Sequence, residues 1–215
     1  MTNSAGVPGA ESSCGIRADA TGPIAYVRFD RPPVNAFTED MFTQLAAVMG
    51  DLADDPKPVL LAGANGIFSA GFDIKQADAD GVGPRAAALR CLAAIRAHPG
   101  PVVAAVEGAA VGVGLLIAVS ADILVVSRTA RLRMPEITLG IVGDTAPLRR
   151  FLPDPWVRRM CLLGEMYTAS DVHLDQAGAY LCESGMSEEV AMSLVSSLSA
   201  METSVLGDTK RQLYT

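Results

Sequence analysis

Short segments with strand-like patterns alternate with longer helical segments along the first two thirds of the sequence, and this alternation restricts the possible folds. Strand patterns occupy residues 24–29, 59–62, 102–106 and 123–127. Two segments with helical periodicity lie between these strands. The first runs to residue 52 and is capped by Thr38, and the second covers residues 85–97. Strands that alternate with helices in this way are typical of a wound α/β layer.

The pattern changes near residue 146, where strand-like segments stop. Residues 155–163, 170–180, 187–200 and 205–213 all have helical patterns, and we identify no strand there. We therefore predict a flexible N-terminal tail over residues 1–16, an α/β core over 17–153 and a helical C-terminal region over 154–215. The tail has neither the basic nor the apolar part of a signal peptide.

Composition excludes several classes of protein. Half of the residues are hydrophobic, enough to bury a core, which excludes global disorder. The net charge is −7, whereas nucleic-acid binding requires a basic stripe. Four cysteines without a CxxC motif and only two histidines predict reduced thiols in the cytoplasm and no metal site. The most apolar stretch, residues 109–126, contains two glycines and Asp122, so we predict a buried segment and no contact with a membrane.

Two glycine-rich turns could present backbone N–H groups to a ligand. Residues 68–75 follow a strand and contain Gly71, which would let the next N–H groups point into a cavity, although an ordinary turn remains the alternative. Residues 108–114 lead into a helix, whose first N–H groups are unpaired. This second turn is not a dinucleotide fingerprint, because Ile117 stands where the third glycine would be.

A third segment carries acidic residues in apolar surroundings. Glu136 follows a proline and precedes Ile137, and Asp144 lies further along the same segment. A carboxyl group in an apolar pocket has a raised pKa and can carry a proton near neutral pH. The alternative is an exposed glutamate in a loop.

Taken in order, these motifs resemble the crotonase, or enoyl-CoA hydratase/isomerase, superfamily. The resemblance begins at the R-P…N-A-F motif of residues 31–37 and continues through F-S-A-G-F-D-I-K at 68–75 and the glycine-rich stretch 106–123. It ends at P-E…L-G-I over 135–141, with a weaker T-K-R match at 209–211. The resemblance implies an α/β fold, a spiral of ββα units followed by a helical C-terminal region, and a homotrimer or dimer of trimers.

The resemblance also implies an acyl-CoA site. Its oxyanion hole would consist of the backbone N–H groups of Phe72 and Val113, although the family usually has glycine at the second position. Residues implied to contact the substrate or its CoA are Asn35, Ala36, Ala70, Gly71, Asp73, Ile74, Lys75, Gly112, Leu116 and Lys210. No cofactor is expected beyond the CoA of the substrate itself.

Leu116 decides which reaction the resemblance favours. Family hydratases have a second glutamate at this position, and leucine cannot orient water. Glu136 and Asp144 resemble the carboxylate pair of dienoyl-CoA isomerases, so we expect a proton-shuttling isomerase. A hydratase that uses Glu136, and an acyl-CoA-binding protein without catalysis, remain the alternatives.

Overall fold

The computed structural model describes residues 15–76, 82–140, 142 and 145–214. Within these ranges, two sheets and six α-helices form the fold. The strands are β1 (Ile16–Asp19), β2 (Ala25–Phe29), β3 (Val59–Gly63), β4 (Val102–Val106), β5 (Ala109–Val111), β6 (Ile123–Ser127), β7 (Arg131–Arg133), β8 (Met166–Thr168) and β9 (Tyr180–Cys182). The helices are α1 (Glu39–Asp51), α2 (Val82–Ala97), α3 (Val113–Ser120), α4 (Asp154–Leu163), α5 (Ser187–Ser199) and α6 (Thr203–Leu213).

The larger sheet has the strand order β1-β2-β3-β4-β6-β9. Strand β1 is antiparallel to β2, and every other pair in this sheet is parallel. The smaller sheet has the order β5-β7-β8, with β5 parallel to β7 and β8 antiparallel to it. This mixed architecture confirms the predicted α/β class.

Both faces of the larger sheet are covered, which explains its nearly continuous apolar strands. Side chains alternate along a strand, so Leu61 of β3 joins a core with α1 and α2, while the adjacent Leu60 points to the opposite face. There it packs with Ala191 and Val195 of α5. The sheet therefore separates a large core from a smaller one beneath α5.

The helices begin and end at residues with the expected chemistry. The hydroxyl of Thr38 accepts a hydrogen bond from the backbone N–H of Met41 at 3.2 Å, which confirms Thr38 as the cap of α1. Helix α4 ends at Gly164, whose φ of 64° suits glycine. In the described residues, no single helix is long and apolar enough to span a bilayer; α5 and α6 meet that criterion only as a pair bent by 111°.

Two sequence predictions are wrong in detail. Residues 170–180 do not form a helix: a single helical turn at Leu174–Ala177 lies between β8 and β9. Strand β9 forms because it pairs with β6 at the sheet edge, a long-range contact that local periodicity does not reveal. Residues 1–14 of the predicted tail lie outside the described residues, but Ile16 at its end is 1% exposed and begins β1.

Lys210 attaches α6 to the core. Its Nζ lies 2.7 Å from Asp122 Oδ2 and donates to the carbonyl of Gly100 at 3.0 Å. The Tyr214 hydroxyl donates to the other Asp122 oxygen at 2.6 Å. Burial lowers the pKa of Lys210, and the Asp122 carboxylate opposes that shift. The resemblance implied a CoA contact for Lys210, but here its charge is buried and paired inside the chain.

We expect the substitution Lys210→Met to lower the free energy of unfolding by about 3 kcal/mol, because Asp122 would keep a buried charge without its cation. The two side chains are only 8% and 16% exposed. Urea denaturation followed by circular dichroism would measure the loss. The control Arg211→Met, at a side chain that is 69% exposed, should change stability by less than about 0.5 kcal/mol. Equal losses in the two variants would contradict the proposed attachment.

Candidate active site

Three segments that are distant in sequence meet at Gly112. A Cβ atom on Gly71 would lie 2.6 Å from the carbonyl oxygen of Val111, so the turn at residue 71 touches the end of β5. A Cβ atom on Gly112 would lie 2.7 Å from Glu136 Oε1. Gly112 has a φ of 54°, a conformation that glycine adopts without strain. The structure therefore brings together the two glycine-rich turns and the acidic segment singled out by the sequence.

The first turn is held against β5 by backbone hydrogen bonds. Ser69 donates to the carbonyl of Ala109 and accepts from the N–H of Val111, both at 3.0 Å. On the other side, Phe37 donates to the carbonyl of Gly71 at 2.7 Å. The N–H of Phe72 donates to no acceptor within the described chain. A fixed backbone thus carries a free donor at this position.

The second turn provides another free donor. Gly112 donates to the carbonyl of Arg133 at 2.8 Å, and α3 begins at the next residue. The first N–H groups of a helix have no acceptor in the preceding turn. Accordingly, Val113 N–H has no partner among residues 15–76, 82–140, 142 and 145–214. Two unpaired N–H groups on touching turns have the composition of an oxyanion hole.

Ser69, which the sequence analysis did not single out, supports both turns. Its buried hydroxyl accepts from the N–H of Gly71 at 3.0 Å and donates to the carbonyl of Asn35 at 2.8 Å. A Cβ on Gly114 would lie 2.8 Å from Ser69 Cβ, so α3 packs directly on this serine. The sequence feature that could have identified Ser69 is its position, since a small polar residue two positions before Gly71 can bond to the N–H of that glycine.

Asn35 organises the loop that the resemblance assigns to CoA. Its side-chain amide donates to the carbonyls of Ala64 and Ile67 at 3.0 and 2.7 Å, and its oxygen accepts from the N–H of Arg31 at 3.0 Å. The side chain is 1% exposed. Asn35 therefore holds the loop from inside, and any contact with CoA would come from the loop's surface.

Asp73 is likewise paired within the chain. Its carboxylate accepts from the Arg31 guanidinium at 2.7 Å and from the N–H of Lys75 at 3.2 Å. Arg31 also donates to the carbonyl of Ala36 at 3.0 Å, which ties the two predicted CoA-facing segments together. Ala70 is half-buried beside them, whereas Ile74 and Lys75 are exposed.

Glu136 lies on a single helical turn, Glu136–Leu139, directly after Pro135. Its Oε2 is buried and has no hydrogen-bond partner within the described chain. Burial raises the pKa of its carboxyl group, and a hydrogen bond from its own backbone opposes the shift only in part. A carboxyl group in this setting can take up and release a proton closer to neutral pH. Asp144, predicted as its partner, lies outside the described residues.

Glu136 opens onto a cavity of about 190 Å³ between its own segment and α4. The lining residues are Met134, Glu136, Ile137, Val142, Thr145, Cys161 and Leu162. Burial and the nearby Glu136 charge raise the pKa of the Cys161 thiol, which keeps it protonated. Thr145, Cys161 and Leu162 were not predicted from the sequence. Cys161 and Leu162 belong to α4, which reaches the cavity only through tertiary packing.

Among the predicted site residues that the structure describes, Glu136 alone lines this cavity. Leu116 lies one turn beyond Val113 on α3, is 5% exposed and packs in the large core. Lys210 is engaged with Asp122 at the joint of α6. Among the predicted residues, Phe72, Gly71, Gly112, Val113 and Glu136 are the ones that the structure brings together at one place.

Comparisons with known proteins give a consistent result. A sequence profile described as enoyl-CoA hydratase/isomerase matches residues 19–178. Carnitinyl-CoA dehydratase from Citrobacter koseri is 34% identical over 160 residues, which cover 70% of this chain and 61% of that protein. The matched region thus spans about three fifths of the length of that curated relative.

Solved structures agree on the fold. Pseudomonas aeruginosa DspI superposes with a TM-score of 0.86 at 24% identity, covering 98% of this chain and 89% of that one. An enoyl-CoA hydratase/carnithine racemase from Magnetospirillum magneticum gives a TM-score of 0.84 at 24% identity, covering 94% and 81%. At these identities, the likeness establishes the fold.

The substitution Gly112→Ala should displace the carboxylate of Glu136 by about 1 Å, because the new methyl group needs an ordinary contact distance of roughly 3.5 Å. Crystal structures of the variant would measure the shift. The control Gly66→Ala also introduces alanine at positive φ (69°), but its Cβ would meet no atom within 4 Å. It should therefore leave Glu136 in place. An unmoved carboxylate in folded Gly112→Ala would contradict the described contact.

Proposed function

Because the chain belongs to the enoyl-CoA hydratase/isomerase family, we propose that it is an acyl-CoA isomerase that moves a carbon–carbon double bond along the acyl chain. In this proposal, the thioester enolate is stabilised by two backbone N–H groups, and Glu136 transfers the proton. The observation that carries the proposal is the buried Oε2 of Glu136, which has no hydrogen-bond partner among the described residues, beside those donors.

The oxyanion hole would consist of the N–H groups of Phe72 and Val113. Removal of a proton from the carbon next to the thioester places negative charge on the thioester oxygen, where fixed donors are most effective. Neither N–H donates to another described residue, so both are available to a ligand. Since the donors belong to the backbone, valine in place of the usual glycine at 113 does not remove one.

Glu136 would act as the base and then as the acid. As a carboxylate it removes a proton from the α-carbon of a 3-enoyl thioester, and the electron pair of that C–H bond becomes the enolate. Protonated Glu136 then returns the proton at the γ-carbon, which leaves the double bond between the α- and β-carbons. In this reaction the proton that is removed is also returned, so no water is consumed and no cofactor is needed. Asp144 remains a proposed second acid for substrates with two double bonds.

Leu116 favours isomerisation over hydration. Addition of water requires a second group that orients the attacking water, and the leucine side chain offers no hydrogen-bonding atom. The cavity beside Glu136 is lined largely by Met134, Ile137 and Leu162, which suits an acyl chain. Hydration or dehydration remains the second candidate, because the curated relative is named carnitinyl-CoA dehydratase.

The proposal also includes contacts with the CoA part of the substrate and an oligomeric state. We propose that Ala70, Ile74 and Lys75, beside the first donor turn, contact the CoA part of the substrate, with Lys75 supplying positive charge for its phosphates. We also propose a homotrimer or a dimer of trimers, as the resemblance implied, which sedimentation analysis would test. The cysteine pattern supports a proposed location in the cytoplasm.

Glu136→Gln should reduce turnover about 10²- to 10⁴-fold, because glutamine keeps the shape but carries no proton. Binding of a saturated acyl-CoA, measured by calorimetry, should be preserved. In the wild type, kcat/KM should fall as the pH decreases through a value above 4.5, since burial raises the pKa of the base and only its ionised form is active. The exposed control Glu189→Gln should behave as wild type. Full turnover in Glu136→Gln would exclude it as the proton carrier.

Product analysis distinguishes isomerase from hydratase. Wild-type protein should convert 3-enoyl-CoA to 2-enoyl-CoA and form little 3-hydroxyacyl-CoA, as measured by chromatography. Leu116→Glu should introduce hydration, whereas the apolar control Leu116→Met should not. Rapid hydration of 2-enoyl-CoA by the wild type would replace the isomerase proposal with the hydratase alternative, and this result does not depend on whether the Leu116 variants fold.

A further inference from the structure

The two N–H donors of the proposed oxyanion hole lie on separate turns, so the distance between them depends on what holds these turns together. Phe72 follows Gly71 on the first turn, and Val113 begins α3 after the second. Such donors are effective only when both lie within about 2.7–3.1 Å of the developing negative charge. The side chain of Ser69 bonds to Gly71 and packs on Gly114, the residues next to the two donors.

The hydroxyl of Ser69 fixes the direction of the first donor. It accepts from the N–H of Gly71 at 3.0 Å, while the carbonyl of Gly71 accepts from the N–H of Phe37 at 2.7 Å. The peptide bond from Gly71 to Phe72 is trans and planar, so the Phe72 N–H points opposite to the Gly71 carbonyl and away from Phe37. Because both polar groups of Gly71 are engaged, the peptide group that carries the donor rotates only when a hydrogen bond breaks.

Ser69 itself has a fixed place and a fixed hydroxyl orientation. The hydroxyl donates to the carbonyl of Asn35 at 2.8 Å, which leaves its lone pairs for the Gly71 N–H. The backbone of Ser69 pairs with the Ala109 carbonyl and the Val111 N–H of β5, both at 3.0 Å, and the residue is 0% exposed. Ser69 therefore holds the first turn from a position that cannot shift with it.

The same side chain limits how closely the start of α3 approaches the first turn. A Cβ atom on Gly114 would lie 2.8 Å from Ser69 Cβ and 2.9 Å from the Ser69 hydroxyl oxygen. Val113 directly precedes Gly114, so the position of the second donor depends on this contact. One buried side chain thus lies between the two donor turns and is in contact with both.

We propose that Ser69 is a positioning residue, which sets the separation of the Phe72 and Val113 N–H groups and thereby the polarisation of the thioester carbonyl. This inference rests on the proposed function and assigns the residue that adjusts its oxyanion hole. Ser69 acts through its neighbours and does not touch the substrate. A serine with a purely structural role would stabilise the fold but would leave the polarisation of a bound carbonyl unchanged, and this difference can be measured.

The stretching frequency of the thioester carbonyl tests this role, because hydrogen bonds from the two donors lower it. Infrared difference spectra of hexanoyl-CoA, isotope-labelled at its carbonyl carbon, should show a lower frequency when the thioester binds to the wild type. In Ser69→Ala, which removes the hydroxyl, about half of this shift should be lost, because one of the two donors is displaced. The kcat for 3-enoyl-CoA should fall about 10- to 100-fold with KM nearly unchanged, since misplacement by about 1 Å has this effect.

Ser127→Ala is the matched control. Ser127 is also 0% exposed, and its hydroxyl pairs with the hydroxyl of Thr129 at 3.1 Å. The control therefore loses a buried, hydrogen-bonded hydroxyl as well, but on β6 and outside both donor turns. It should keep the wild-type frequency shift and the wild-type kcat.

The outcomes separate this inference from the proposed function. An undiminished shift in folded Ser69→Ala, or an equal loss in Ser127→Ala, overturns the inference and leaves the acyl-CoA proposal intact. If hexanoyl-CoA fails to bind to the wild type, or binds without a shift, the proposed function is overturned as well. Should Ser69→Ala not fold, as judged by circular dichroism, Gly114→Ala displaces the same side chain from α3, and a full shift there overturns the inference. Loss of folding in both variants assigns Ser69 to the fold alone and also overturns it.

Discussion

The close approach of backbone and side chain around Gly112 is the constraint on which the rest of the site depends. The end of β5 is pressed against Gly71 on one side and against Glu136 on the other, with no space for a Cβ atom at either glycine. Ser69 packs equally closely on Gly114 in the first turn of α3. As a result, two N–H donors without a partner among the described residues are fixed by backbone geometry, and the Glu136 carboxyl group packs beside them against Gly112.

Much of this arrangement was predictable because its signals are local. Glycines at 71 and 112, a strand before each, and an acid after Pro135 are short-range features, and the structure brings these segments together. The parallel core was also predictable, since strands such as Val102–Val106 are buried on both faces and read as continuous apolar runs. Local chemistry also identified the cap of α1 at Thr38.

The parts that sequence analysis missed depend on long-range contacts. Strand β9 exists because it pairs with β6, and nothing within its three residues distinguishes it from a turn. The resemblance implied a CoA contact for Lys210, but the matching motif carries no information on Asp122, which lies far away in the sequence and forms an ion pair with it. Cys161 and Leu162 reach the cavity only because α4 packs against the turn that carries Glu136.

The division of the cavity between two segments has a consequence for the diversification of this protein. One wall carries the Glu136 carboxyl group, while the facing wall belongs to α4, and the carbonyl of Gly164 just after α4 accepts a hydrogen bond from Arg133 at 2.8 Å. Residues 161 and 162 therefore lie on a different element from the two N–H donors and from Glu136. After gene duplication, substitutions at a few positions of α4 could change which acyl group is bound. A combinatorial library at these positions would test new acyl groups while the sequence of the two donor turns and of the Glu136 segment stays the same.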